Sequence, residues 1–240
     1  GVGFYAPVYY SADSCDFLLQ ASMVKREGCT LFKSYLDKMK ALAQQGEIRN
    51  ATYLLFGTIF TSTDPEKKTL FQQLTLYNSH ASALYTERPW PMILNFIFAN
   101  ETKFKIFIHA GQNASLVYPN EYLLGSLAAD WFVDITSQTE YVLNNTRVLF
   151  YAGQVDTLFP AAKQLEYFES LNWTHASDYR SADRRLWQPC KGCGAAAYIK
   201  SAEGFTSAVV LGMGHYAGFD KPLETHYLIT QFVNGSILFP

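Results

Sequence analysis

Charge is the first thing this sequence is short of. Only 17% of its 240 residues are Asp, Glu, Lys or Arg, and 19 basic against 21 acidic side chains leave a formal charge of −2. So neutral a chain has no broad positive field to hold nucleic acid or an anionic membrane, and neither partner is expected. Long apolar runs are missing as well. Stretches such as Tyr53–Phe60 and Pro91–Phe98 fall well short of the ~20 residues that cross a bilayer. There is no initiating Met, and Gly1-Val2-Gly3-Phe4-Tyr5 lacks the basic start and apolar run of a secretory signal. A processed or truncated beginning is the expectation.

What the chain has in quantity is apolar and aromatic surface. Hydrophobic residues make up 49% and aromatics 16%, a profile that excludes disorder and supports one large packed core. Six Asn-x-Ser/Thr triplets, at Asn50, Asn100, Asn113, Asn144, Asn172 and Asn234, are each a candidate N-glycan acceptor. That density points to a secreted or lysosome-like compartment. In such a compartment the four cysteines, Cys15, Cys29, Cys190 and Cys193, are expected as disulfides. Cys190 should bridge Cys193 locally, while Cys15 should pair with Cys29 or with a cysteine on another chain. The alternatives for Cys190-Lys191-Gly192-Cys193 are a redox pair or half a zinc site, but a zinc site needs a second pair at usable spacing, and Cys15 and Cys29 lie 14 apart. No metal or cofactor is expected.

Three zones emerge along the chain. After a short β-like opening, Thr30–Gln45 sets Leu31, Phe32, Tyr35, Leu36, Met39, Leu42 and Ala43 on one helical face, which predicts an amphipathic helix capped by Thr30 and stopped by Gly46. Residues 14–119 as a whole read as a mostly helical insertion, or lid, broken at Asp64-Pro65 and Pro89-Trp90-Pro91. Residues 120–240 alternate cleanly. Arg147–Tyr151 predicts a buried parallel strand ending at Gly153, Ala161–Leu171 a helix, Ala197–Lys200 and Thr206–Leu211 two strands about a Glu203-Gly204 turn, and Pro222–Val233 a last helix. Strand, helix, strand, helix is α/β order.

In an open α/β sheet, chemistry collects at the carboxyl ends of the strands. Asp156 follows the first strand and His215, in Gly212-Met213-Gly214-His215, follows another. Each has a plain reading: Asp156 as a cap for the helix near Pro160, His215 as a turn histidine between glycines. If the strands are neighbours, however, the carboxylate can hold the imidazole Nδ1–H and leave Nε2 as a general base. The nucleophile is lacking. No Gly-x-Ser-x-Gly elbow occurs, and serines in contexts such as Tyr10-Ser11-Ala12 and Gly125-Ser126-Leu127 make none. His109 and His175 read as packing or surface residues, His226 as packing.

Here the pattern becomes specific. Val148-Leu149-Phe150-Tyr151-Ala152-Gly153-Gln154-Val155-Asp156 followed by Pro160, then Leu171-Asn172-Trp173, Trp187, Tyr198-Ile199-Lys200, and Gly214-His215 with Asp220-Lys221-Pro222, resembles the C-terminal half of the serine carboxypeptidase family. The vitellogenic-carboxypeptidase-like branch is the nearest. The resemblance covers residues 120–235, including the 59-residue Asp-to-His separation. It continues more faintly through Lys105–His109, and Gly1–Pro7 looks like the stretch after the family's nucleophile-bearing helix and next strand. Residues 1–13 would then end the N-terminal half of the core.

The resemblance implies an α/β-hydrolase fold with a helical insertion and release of C-terminal residues from peptides without a cofactor. Asp156 and His215 would be the triad acid and base. The Ser would lie on an N-terminal companion chain carrying Gly-x-Ser-x-Gly, with a homodimer of the two-chain unit left open. Where the family commonly has Met-Val-Pro after its His, this chain has Tyr216-Ala217-Gly218, which puts an aromatic in the substrate pocket. The rival readings are an inactive relative serving as a binding or structural glycoprotein, and acyl transfer on the same triad.

Overall fold

The computed structural model describes residues 7–115 and 121–237, apart from the side chains of Glu121 and Leu124. Regular structure up to Ser126 is helical among these residues: α1 (Val8–Ser11), α2 (Cys15–Gln20), α3 (Arg26–Gln44), α4 (Ile48–Ile59), α5 (Leu70–Thr75), α6 (Trp90–Ala99), α7 (Thr102–Phe107) and α8 (Glu121–Ser126). Of the predicted β-like opening, Gly1–Ala6 lie outside the described residues, and the chain after them makes a helical turn at Val8–Ser11. The predicted amphipathic helix is α3, but it starts at Arg26 with Lys25 as N-cap. Thr30 is therefore inside it, its hydroxyl donating to the Arg26 carbonyl at 3.1 Å, a back-bond that competes with a cap role.

The apolar stripe of α3 turns Phe32, Leu36 and Met39 onto Ala51, Leu55 and Ile59 of α4 and Phe71 of α5, and Leu158 and Phe159 join this core from the C-terminal part. Thr69 and Gln72 close α5 with a reciprocal capping box. Cys15 bridges Cys29, tying α2 to α3. By contrast α6 and α7 contribute no buried residue.

After a 3₁₀ turn at Ala128–Phe132 come α9 (Thr136–Asn145), β1 (Val148–Gly153), α10 (Ala161–Ser170), α11 (Ala176–Ser181), β2 (Arg185–Trp187), β3 (Ala197–Ala202), β4 (Phe205–Val210), α12 (Ala217–Asp220) and α13 (Pro222–Val233). The strands form one sheet in the order β1-β4-β3-β2. β1 and β4 run parallel, with Val148 opposite Phe205 and Gly153 opposite Val210, while the other two pairings are antiparallel. Glu203 and Gly204 make the β3–β4 turn with φ of 42° and 88°, the double left-handed geometry that matches strand twist in a tight hairpin.

β4 carries no charge and all six of its residues are buried. Alternate side chains serve opposite faces of the sheet. Phe205 meets Leu143, Phe168, Trp173 and Tyr179 from the α9–α11 side, whereas Ala208 and Val210 meet Trp187, Ile199 and Leu228 from the α13 side. β1 departs from its expected full burial: Val148–Tyr151 are half-buried, because one edge of β1 has no partner strand among the described residues.

Candidate active site

Because β1 and β4 are parallel neighbours, the loops leaving their carboxyl ends open on one edge. They interlock through backbone bonds, Val155 N–H to the Met213 carbonyl at 2.9 Å and Gln154 N–H to the Val210 carbonyl at 3.0 Å. Such an approach needs two glycines. A Cβ on Gly153 would press into the carbonyl oxygens of Met213 and Gly214, and one on Gly214 would stand 2.6 Å from the Ala81 carbonyl oxygen.

Asp156 is 4% exposed. Its Oδ1 accepts the backbone N–H groups of Leu158 at 2.8 Å and Phe159 at 3.0 Å, and its Oδ2 lies 3.1 Å from His215 Nδ1. The two sequence readings of Asp156 are thus not exclusive: one oxygen pins the loop and the other holds the imidazole. The helix beginning at Ala161 takes no side-chain cap, so the turn it caps is Leu158–Phe159. An ionised carboxylate only accepts, so Nδ1 carries the proton and Nε2 presents a lone pair.

The loops rest on a ledge that sequence reasoning missed, residues 78–85. The Ala81 carbonyl accepts the His215 N–H at 2.7 Å, Ala83 N–H donates to the Val155 carbonyl at 2.9 Å, and the Thr157 hydroxyl donates to the His80 carbonyl at 2.6 Å. His80 anchors this ledge. Thr61 donates its backbone N–H to His80 Nδ1 at 2.9 Å, so that nitrogen must be unprotonated. Burial, then the charges of Arg88 and His215, drive the His80 pKa down to about 3, and the ring is neutral. Tyr85 completes the ledge by donating to Asp220 Oδ1 at 2.6 Å, while Asp220 Oδ2 accepts the Gly214 N–H at 2.7 Å. Burial and that hydrogen bond push the Tyr85 phenol up to about 12. The one local sign of the ledge is its run of small residues, Ser79, Ala81, Ser82 and Ala83, which lets backbone meet backbone.

Beside the pair is a cavity of about 660 Å³, lined among others by Asp156, His215, Tyr216, Arg88, Ser11 and, from α6, Met92, Asn95 and Phe96. Tyr216 sets its ring 5.3 Å from that of His215, centroid to centroid, and Phe159 approaches from another side at 5.5 Å. Ser11 sits on α1 and is buried. A carboxylate and an imidazole so arranged beside a cleft of this size can work as an acid-oriented base.

The serine carboxypeptidase family profile matches residues 7–235. The chain belongs to that family. It is 24% identical over 245 residues to the venom serine carboxypeptidase of Apis mellifera, covering 98% of this chain and 50% of that protein. To the probable serine carboxypeptidase CPVL of Mus musculus it is 25% identical over 235 residues, covering 97% and 46%. The crystal structure of Kex1(delta)p, a prohormone-processing carboxypeptidase from Saccharomyces cerevisiae, superposes with a TM-score of 0.62 at 13% identity, covering 94% of this chain and 52% of that one. The fold is therefore that of an α/β hydrolase, and the chain spans about half the length of the relatives it matches.

The other sequence candidates of this chain do not line the cleft. Cys190 bridges Cys193, and no cysteine is free among the described residues. Cys15, Asp16 and Cys29 cluster closely enough to hold a metal, but their two sulfurs are bonded to each other and offer no thiolate. His109 is exposed at a left-handed φ of 59°, and His175 Nδ1 pairs with Asp178 at 3.1 Å. His226, expected to pack, is exposed on α13 with its ring against Tyr227; the buried face of that helix falls to Thr225 and Leu228. All six sequon asparagines, Asn50, Asn100, Asn113, Asn144, Asn172 and Asn234, are exposed. No helix among the described residues is long and apolar enough to cross a membrane.

Proposed function

We propose that this chain supplies the acid and base of a serine-type carboxypeptidase that releases C-terminal residues from peptides. The observation that carries the reading is the Asp156–His215 pair, 3.1 Å apart on the loops that follow two adjacent parallel strands, at the rim of the cleft in a chain of this family. In this mechanism a Ser hydroxyl attacks the last peptide carbonyl while His215 Nε2 takes its proton. The imidazolium, steadied by Asp156, then protonates the leaving amine, and the acyl-enzyme is hydrolysed by a water deprotonated at the same nitrogen.

The Ser belongs to an N-terminal portion carrying Gly-x-Ser-x-Gly, present as a companion chain. Its natural seat is the edge of β1 that has no partner strand among the described residues, because an unpaired apolar edge is costly in water. An interface above ~2,000 Å² is expected for a core divided in this way. The exposed sequons suit N-glycans and a secreted or lysosome-like compartment, and Tyr216 forms part of the substrate pocket.

The test is to purify the protein from its source and treat it with a fluorophosphonate probe. Labelling of a co-purifying Gly-x-Ser-x-Gly chain, with single residues released from peptide C-termini, is expected. Absence of both a companion and a labelled serine would leave an inactive relative as the better reading, and transfer of acyl groups from ester donors without peptide hydrolysis would make the chain an acyltransferase.

A further inference from the structure

The two disulfides of this chain sit in opposite surroundings. Cys15 and Cys29, 14 apart, are buried in the helical core, whereas Cys190 and Cys193, 3 apart, close a small ring in the connection from β2 to β3. Cys190 is exposed, as are Lys191, Gly192, Gly194 and Ala195, and Cys193 is half-buried. So short a ring removes less entropy from the unfolded chain than the longer loop does. The charge around it is one-sided, since residues 184–202 hold Arg184, Arg185, Lys191 and Lys200 and no carboxylate. Glu169 answers Lys200 at 2.7 Å, but Lys191, between the two cysteines, has neither an ion pair nor a hydrogen bond among the described residues.

The ends of the ring are held by bonds that do not depend on the sulfurs. Trp187, fully buried, pairs with Ala197 across β2 and β3, and Ala196 N–H donates to its carbonyl at 2.8 Å. Gln231 of α13 accepts from Trp187 Nε1 at 2.9 Å and donates to the Pro189 carbonyl at 2.9 Å. Inside the ring, Cys193 N–H donates to the Cys190 carbonyl at 3.0 Å. Broken, the bridge would leave two thiols side by side on a fixed frame. An accessible sulfur in a positive setting, with its partner held ready for return, is the environment of reactive and not of structural cysteines. β2 ends the sheet on the side opposite β1, so the edge assigned to the N-terminal portion is not involved.

We propose that Cys190–Cys193 is a thiol-exchange site for small anionic thiols, separate from the cleft and independent of how the cleft is read. A thiolate attacks the exposed Cys190 Sγ, the S–S bond breaks, and Cys193 leaves as a thiolate that takes up a proton. A second thiolate attacks the mixed disulfide and releases Cys190 together with a small-molecule disulfide. Two small thiols are oxidised, the bridge gains their two electrons, and the reverse sequence closes it. Lys191 draws the negatively charged thiol to the ring.

The test uses the complete protein, this chain together with its N-terminal portion, with reduced glutathione as the probe. Samples are quenched in acid over time, alkylated after denaturation and mapped by mass spectrometry, Cys15–Cys29 serving as the internal reference. Cys190–Cys193 should open on the order of 100-fold faster, because buried sulfurs are reached only through local unfolding. Transfer to oxidised glutathione should restore the bridge and leave no lasting adduct. Glutathione, an anion, is then compared with cysteamine, a cation. Lys191→Glu should lower the ratio of their opening rates by roughly 3- to 10-fold, and by less at high salt. Opening no faster than that of Cys15–Cys29, a stable glutathione adduct on Cys190, or an unchanged ratio in Lys191→Glu overturns the proposal.

Discussion

The loops after β1 and β4 and the helix α6 line the same cavity on opposite terms. In the loops both carboxylate oxygens of Asp156 are held by named partners, Gly153 and Gly214 leave no room for a methyl group, and the ledge at residues 78–85 fixes both loops from below. Helix α6 and its neighbour α7, in contact through the tilted rings of Phe98 and Phe104 at 4.6 Å, contribute no buried residue. Trp90 is 61% exposed and Phe107 81%. One wall of the cleft is over-determined by close contact, and the other is a slab of apolar surface. Single-atom changes should therefore be felt at the first and scarcely at the second.

The sharpest break is at the pair itself. His215→Ala should lower turnover on the order of 10⁴-fold or more, and Asp156→Asn by a similar factor because an amide stabilises the wrong imidazole tautomer. Steady-state kinetics on a peptide substrate measures both, and a loss below about tenfold would place the base elsewhere. Next comes Gly153→Ala, whose Cβ must displace the Met213 and Gly214 carbonyls. A destabilisation of about 3 kcal/mol is expected from backbone overpacking, read as a fall in the urea midpoint at unchanged m-value. The Cys15–Cys29 bridge, spanning a separation of 14, should contribute about 2 to 3 kcal/mol by restricting the unfolded chain. Replacing both cysteines by Ala and repeating the urea titration tests it.

The ledge gives a pH signature. The His80 pKa falls from 6.5 in the unfolded chain to about 3 in the fold, so below 6.5 the unfolded state takes up a proton that the folded state refuses. Stability is at its full value above 6.5 and is lost as the pH drops through the window down to about 3. Between neutrality and pH 5 that amounts to about 2 kcal/mol from this one side chain. His80→Asn keeps an acceptor near the δ position for the Thr61 N–H but does not titrate there. Its unfolding free energy should decline less steeply over the same range, and an unchanged slope would mean that His80 is already protonated in the fold.

The fold class and the pair were legible in the sequence for a physical reason. Runs such as Arg147–Tyr151 and Thr206–Leu211 mark strands, and Gly-flanked polar residues just beyond them mark the loops on which an α/β sheet displays its chemistry. The ledge was not legible, because its bonds join residues 77 and 135 positions apart and run largely through backbone atoms that any sequence carries. Thr30 misled in the opposite way: a hydroxyl before an apolar stripe looks like a cap, but the helix had already begun at Arg26, with Cys29 turned inward to its bridge.

The smallest effect is expected on the slab. Phe107→Ser removes a ring that is 81% exposed, so little buried area is lost, and a solvent-facing substitution on a short helix costs within about 0.5 kcal/mol. The N-terminal portion is proposed to seat on the β1 edge and not on α7, so the prediction applies to the complete protein as well as to this chain. Urea midpoints for wild type and Phe107→Ser should coincide within that margin, and kcat/KM should be unchanged, because α7 contributes nothing to the lining of the cleft. A loss above about 2 kcal/mol would mean that the ring is buried in the complete protein. The companion would then have to reach over the helical pair as well as along the sheet, and the contrast between the two walls would belong to this chain alone.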